Sequence, residues 1–307
     1  MNCRIYNISA IAAAAALLLA SCDSQKELAG NNSYGDAEYI MFADTMAVYA
    51  VQQDNGWFKV PVVSTVSCDY DRTVAVEIID HGSNAIERRH YNLRSNTLTI
   101  KAGETRTDVE VQGVYENIEA DDSLGFRLSL VIPDQKRMPL YPNTTSVVLQ
   151  KVCPYELHNF TGYCMVTSLF LYYYSPTGIY QRLCRTEAHP TEPNTVILHD
   201  FLYDGYDVTI RFNPAEPLDL QVEMDEDQVL VDEFSAFGVA RGDDKVLCSA
   251  TPVYPSYFNT CENYVELMLR VYVENMGEPV GEVGIFYNVL EWVSDEEGER
   301  LKKDYDL

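Results

Sequence analysis

The sequence predicts an all-β protein made of two antiparallel domains. Three observations carry that expectation. Alternation of apolar and polar residues with period two recurs along the chain, while the 3.6 spacing of an amphipathic helix is nearly missing. Turn clusters such as Asp54-Asn55-Gly56 and Lys101-Ala102-Gly103-Glu104 separate the alternating runs. A break at Val152-Cys153-Pro154 follows a strand-like run over 146–152, because proline cannot donate to a ladder. A chain of 307 residues, 47% of them hydrophobic, has enough length and apolar content for two cores.

The first element, 1–21, carries one early charge, Arg4, and an apolar run from Ile8 to Ala20. That length suits the core of a signal peptide and falls short of the ~20 apolar residues a membrane span needs. The run closes on Leu19-Ala20-Ser21-Cys22, which resembles a bacterial lipoprotein lipobox. The resemblance implies that Cys22 is the lipid attachment site and that everything before it is removed. Such a cysteine is similar to the multiply acylated bacterial type, and several acyl chains hold firmly where one binds only marginally. Residues 22–37 are polar and rich in Gly and Asn, with nothing to bury, and read as a flexible tether. Its charged start, Asp23-Ser24-Gln25-Lys26-Glu27, resembles the surface-export signal of Bacteroidetes-type lipoproteins. The expected location is the cell envelope, on an outer membrane and facing outward, with the lipid as the link to the membrane.

The third element, 38–152, holds about eight short strands, the size of an antiparallel sandwich. Val74, Val76 and Ile78 alternate with Thr73 and Glu77, and Phe126, Leu128, Leu130 and Ile132 with Arg127 and Ser129. The fourth, 155–307, holds roughly eight to ten strands, expected as a second sandwich or a half-closed barrel. Val265, Leu267, Leu269, Val271 and Val273 share one face of a long strand there. Only the tail reads as a helix, with Ser294 as N-cap and Glu297 three residues on.

The third element resembles a Calx-beta-type immunoglobulin-like sandwich. The matching residues run from Thr73-Val74-Ala75-Val76-Glu77-Ile78 through Tyr91-Asn92-Leu93 to Asn96-Thr97-Leu98-Thr99-Ile100-Lys101-Ala102-Gly103-Glu104-Thr105. Asp108-Val109-Glu110-Val111 and Phe126-Arg127-Leu128-Ser129-Leu130 follow in order. The family often binds calcium through acidic residues at one end of the sandwich. Here the expected Asp-Asp is Tyr115-Glu116-Asn117, which leaves Glu119, Asp121 and Asp122 as the only nearby carboxylates. No cofactor is expected, and calcium at those three is the one metal candidate. The whole layout resembles a two-domain Bacteroidetes surface lipoprotein. Relatives of that layout often sit beside glycan-uptake systems, an analogy that says little about chemistry. Asp44-Thr45-Met46 and Asp122-Ser123-Leu124 resemble the O-glycosylation acceptor of these bacteria, at Thr45 and Ser123.

Eight cysteines reduce to six once Cys3 leaves with the signal and Cys22 is lipidated. The six have long, irregular spacings and no neighbouring histidine at zinc spacing, which argues against a structural zinc. They read as buried thiols or as one or two bridges, with Cys248 and Cys261 the pair to test because they flank one loop. Loss of Arg4 takes the net charge from −25 to −26. Such a field repels nucleic acid and anionic lipid, so no nucleic-acid partner is expected.

Nucleophile elbows, zinc-protease helices, phosphate loops and dinucleotide motifs are absent from the sequence. His81, His90, His158, His189 and His199 show no ligand spacing and read as surface or hydrogen-bonded histidines. Acidic clusters such as Asp204-Gly205-Tyr206-Asp207 read as solvated turns, since none has a calcium loop's ligand pattern. Arg241-Gly242-Asp243 matches the integrin tripeptide, and no adhesive role is expected of it. The tyrosines stand out: 22 of them, against two tryptophans. In Leu169-Phe170-Leu171-Tyr172-Tyr173-Tyr174, Tyr172 and Tyr174 are expected on one strand face, with Tyr180 following the turn. Exposed rings flank the apolar faces of sugars, so these three are the candidate ligand residues. Trp57 and Trp292 are expected in the cores. The function expected is a non-enzymatic surface binding module with glycan as the ligand class. The alternatives are an adhesion or assembly subunit that docks by strand addition, and a hydrolase.

Overall fold

The structure is a computed structural model that describes residues 37–139, 141, 143–175, 178–231, 245–275 and 278–305. Cys22, the tether before residue 37 and the Arg241-Gly242-Asp243 tripeptide lie outside the described residues. The chain is nearly all β, as expected, and divides into two compact units. One contains Trp57–Gln112 and Leu124–Val148 with the segment ending at Val48; the other contains Tyr49–Gly56, Gly113–Ser123 and Leu149–Leu307.

The first unit is a two-sheet sandwich. One sheet has the order β1 (Ile40–Phe42), β3 (Trp57–Ser64), β7 (Arg106–Gly113), β5 (Tyr91–Leu93). The other runs β2 (Met46–Val51), β9 (Thr144–Lys151), β8 (Leu124–Val131), β4 (Arg72–Ile79), β6 (Thr97–Ile100). Alternation sets which side chains turn inward. Val60 and Val62 of β3, Val109 and Val111 of β7, Val74 and Val76 of β4, and Leu128 and Leu130 of β8 are all buried. Tyr91 of one sheet stacks on Phe126 of the other, ring centroids 3.7 Å apart, so the two faces meet in one core. The β6–β7 turn works as its residues suggest: Gly103 takes a φ of 82°, which a side chain would resist. Trp57 is not core. It sits on the surface with the Arg94 guanidinium 4.4 Å above its ring.

One charge is deeply buried in this unit. Arg72 is 4% exposed. It donates to Ser64 Oγ at 2.6 Å, to the carbonyls of Val66 and Glu104 at 2.9 and 2.5 Å, and to Glu38 Oε1 at 3.3 Å. Lys136 Nζ holds the other Glu38 oxygen at 2.6 Å. Burial would raise the Glu38 pKa, but these two cations outweigh it and hold the carboxyl below its ordinary value.

The second unit closes on itself. Its ring of antiparallel strands is β10 (Gly162–Ser168), β11 (Gln181–Ala188), β12 (Thr195–His199), β13 (Val208–Asn213), β14 (Gln221–Glu223), β17 (Ser256–Asn259), β18 (Tyr264–Asn275) and β19 (Glu278–Val293). β19 pairs with β10 on one side and β18 on the other, which completes the barrel. β16 (Val246–Ala250) shares the β17 edge of β18 farther along, and β15 (Gln228–Val231) pairs with it. Closure removes the free edges that an open sheet would expose. Val265, Leu267, Leu269 and Val271 face the interior, as the alternation predicts. Phe258 packs edge to face on Phe160 and Phe212 there, with Trp292 partly buried against them and its Nε1 donating to Thr186 Oγ1 at 2.8 Å.

Two expectations are corrected in this unit. Leu169–Tyr174 is a short helix, α1, rather than a strand. Ser168 at its N-cap accepts the Leu171 N–H at 3.3 Å, and six residues are too few to show a helical period in sequence. The bridge is Cys153–Cys261, Cα atoms 5.0 Å apart, while Cys248 is a buried free thiol. The Cys248–Cys261 pairing fails because β16 and β17 bond to different stretches of β18. Cys248 lies opposite Val271 and Asn259 opposite Tyr264. Seven residues of strand are about 23 Å. The tail is the expected helix, α2 (Asp295–Tyr305), with the Glu297 N–H donating to Ser294 Oγ at 3.2 Å. Among the described residues, no helix is long and apolar enough to cross a membrane.

Candidate functional site

The outward face of β10 and β19 carries the aromatic side chains that the sequence singled out, in a different set. In α1, Phe170 and Leu171 turn into the barrel core. Tyr174 follows them, its ring 5.1 Å from Phe170 and 5.9 Å from Phe286. Tyr172, 59% exposed, and Tyr173 point away from the core. The helical turn therefore separates Tyr172 from Tyr174, which a strand would have placed side by side. Tyr180 is fixed across from Ser168, whose N–H donates to its carbonyl at 2.8 Å. The Tyr172 and Tyr180 rings meet edge to face, centroids 6.5 Å apart.

Alternation along β19 supplies the third ring. Phe286, Asn288 and Leu290 face inward, so Tyr287, Val289, Glu291 and Val293 face outward. Tyr172, Tyr180, Tyr287, Thr167, Leu169 and Val289 surround an apolar hollow of about 310 Å³. Tyr180 also borders a second hollow of about 500 Å³, with Met165, Ile179, Gln181, Glu291 and Leu301 of α2. Tyr287 Oη donates to Glu266 Oε1 at 2.9 Å; burial and this acceptor push its pKa up to about 12. The phenol is thus neutral at physiological pH and works as an apolar plate with an oriented dipole. Sequence reasoning passed over Tyr287, although the period-two register of β19 is a signal that could have found it.

The C-terminal helix forms one wall. Arg185 lies over the Tyr163 ring with its Cζ 3.6 Å from the centroid, and Tyr163 Oη donates to Glu299. Gly298 faces the same ring, where a side chain would lie 2.7 Å from Tyr163 Cβ. The close approach of α2 to β10 therefore requires glycine.

The remaining expected sites are dispersed. Glu119, Asp121 and Asp122 lie on an exposed turn, and Asp122 Oδ2 accepts the Glu119 N–H at 2.8 Å. Among the described residues, no group of three or more His, Cys, Asp or Glu is placed to hold a metal ion. Thr45 and Ser123 are both exposed. His199 is hydrogen-bonded at the surface: Nδ1 lies 2.8 Å from Asp207 and Nε2 3.2 Å from Glu187. Burial lowers its pKa, but the two carboxylates outweigh burial and raise it. His90 Nδ1 accepts the Ile86 N–H at 3.0 Å.

No curated protein matches the chain. Among solved structures, it is similar to the apo form of a Calx CBD1 domain, with 16% identity over 38% of this chain and 98% of that one, TM-score 0.31. It is similar to a protein of unknown function from Bacteroides ovatus, with 11% identity over 81% and 89%, TM-score 0.34. It is also similar to a putative carbohydrate binding protein from Bacteroides ovatus, with 11% identity over 80% and 70%, TM-score 0.31. Likeness at these scores carries no functional argument. Residues 140–304 match the model of the family described as "Domain of unknown function (DUF4984)", and the chain belongs to that family.

Proposed function

We propose that the protein is a non-catalytic, lipid-anchored surface protein of a bacterial outer membrane whose barrel binds a neutral glycan. The observation that carries the reading is the convergence of three outward tyrosines, Tyr172, Tyr180 and Tyr287, on one apolar hollow. Sugar C–H faces are apolar while sugar hydroxyls need hydrogen bonds. The tyrosine hollow offers the first, and Thr167 at its rim with Gln181 and Glu291 along the adjoining one offer the second. The hollows share Tyr180, so a chain of sugars can run along the β10–β19 face. Glu291 carries a negative charge there, and neither hollow is lined by Lys or Arg. With a net charge of −25, this favours neutral sugars over uronates or sulfated chains. The Leu19-Ala20-Ser21-Cys22 run supports the anchor, and the sandwich serves as the spacer between anchor and barrel.

The test is titration of the chain from residue 38 onward with neutral oligosaccharides and with a polyuronate, with and without calcium. Tyr180→Ala, at the shared boundary, is expected to weaken neutral-glycan binding about tenfold or more, the loss of ~1.4 kcal/mol. Absence of binding to every neutral glycan, or binding unchanged in both Tyr172→Ala and Tyr180→Ala, refutes the site. A Cys22→Ala chain that is processed normally and stays on the membrane refutes the anchor.

A further inference from the structure

Two buried thiols face each other across the β10–β11 ladder. Cys164 of β10 is the register partner of Cys184 of β11. The Ser168 N–H donates to the Tyr180 carbonyl four residues farther along the same register. Antiparallel pairs alternate, so Cys164 and Cys184 also occupy a hydrogen-bonded position, where Cα atoms sit about 5.5 Å apart and Cβ atoms lie toward the wide end of the cross-strand range, about 5.5 Å. A disulfide spans Cα separations of about 4.4–6.8 Å and Cβ separations of about 3.5–4.5 Å, so the Cα spacing suits a bridge and its closure draws the two Cβ atoms together by about 1 Å. Both side chains turn into the barrel, 0% and 4% exposed, so they share one side of the sheet. The same unit already carries one bridge, Cys153–Cys261, and such bridges persist only where the surroundings are oxidising.

We propose that Cys164 and Cys184 form a second, cross-strand disulfide when the chain folds in an oxidising compartment. The oxidant is the disulfide of a dithiol–disulfide oxidoreductase. One cysteine thiolate attacks that disulfide and forms a mixed disulfide. The second thiolate then attacks the cysteine sulfur of the mixed disulfide and expels the enzyme thiolate. The chain loses two protons and two electrons, and the oxidoreductase leaves as a dithiol. The timing follows from burial. The attacking species is the thiolate, and burial holds the Cys164 thiol well above its ordinary value in the finished barrel. The bridge therefore closes before the barrel packs, and a barrel that packs first keeps both thiols. The segment so closed holds α1 and Tyr180, so the bridge staples the base of the hairpin that presents Tyr172 and Tyr180. The proposal stands whether or not those rings bind glycan.

The full chain is folded along two routes, export into an oxidising periplasm and expression in a reducing cytosol. Each product is unfolded without reductant in iodoacetamide, digested, and read by mass at every cysteine. In the exported chain, Cys68 and Cys248 are expected to carry label, while Cys164 and Cys184 label only after reduction. In the cytosolic chain both are expected to label, and to do so still after treatment of the folded protein with diamide. Full labelling of Cys164 and Cys184 in the exported chain overturns the proposal. So does protection of Cys184 that persists in an exported Cys164→Ser chain, since its partner then lies elsewhere. The digest of the unsubstituted chain decides even where that variant does not fold.

Discussion

Replacing Arg72 by methionine keeps the apolar stem and removes the guanidinium, and its cost can be worked from the partners left behind. Ser64 Oγ and the Val66 carbonyl still hydrogen-bond to each other at 3.0 Å. Glu38 keeps Lys136. The Glu104 carbonyl loses the 2.5 Å contact made by Arg72. Glu104 is exposed, so water can replace Arg72 at its carbonyl, and the loss is that of hydrogen bonds to a charged group, about 1.5–3 kcal/mol. With the weakened Glu38 pair the cost is about 3 kcal/mol, the lower end of the range for breaking a buried ion pair. For a unit of this size that is a Tm lower by about 12 °C or more. Trp57 belongs to the first unit and Trp292 to the second, so each unit has its own fluorophore. Urea unfolding of Arg72→Met in a Trp292→Phe background therefore reads the sandwich alone. Arg106→Met is the comparison, since that side chain is 63% exposed and holds Asp108 at only 3.5 Å. Its expected cost is within about 0.5 kcal/mol. An Arg72→Met midpoint no lower than that of Arg106→Met would refute the reasoning.

Three further outcomes are expected. Cys153→Ser opens a bridge with a sequence separation of 108 and should destabilise the barrel by up to about 4–5 kcal/mol in the chain-entropy model, read by Trp292 fluorescence in urea. Gly298→Ala gains about 1 kcal/mol of helix propensity but forces a methyl group against the Tyr163 ring, so net loss of about 1–2 kcal/mol and faster proteolysis of α2 from the barrel should follow. For His199, whose pKa is raised above its ordinary 6.5, the stabilisation from Asp207 and Glu187 is full below that value and fades as pH rises through the raised one. His199→Gln should flatten this slope in unfolding midpoints measured from about pH 6 to pH 8, and an unchanged slope counts against the assignment.

Much of the architecture was legible in sequence because strand periodicity is local. Val265, Leu267, Leu269 and Val271 announce their inward face within one strand, and Ser294 with Glu297 announces a helix start within one turn. Closure of the second unit was not legible, because the pairing of β19 with both β10 and β18 joins segments far apart in the chain. The tyrosine run carries the wrong period in sequence, since its aromatic residues favour a strand, while in the structure it is a helix capped by Ser168 with Phe170 and Leu171 in the core. That one change keeps Tyr172 at the site, sends Tyr174 to the core, and leaves a place that Tyr287 fills from β19. The bridge to Cys261 came from Cys153 and not Cys248 for a similar reason: loop proximity in sequence counts for little when each partner hangs on a different stretch of β18. By itself, then, the sequence determined the strand faces, the tail helix and the lipobox-like start, all set by short-range spacing. Which tyrosines share a surface, which cysteines bond and whether the sheet closes were decided by tertiary structure, because each depends on register between strands that the chain brings together only when it folds.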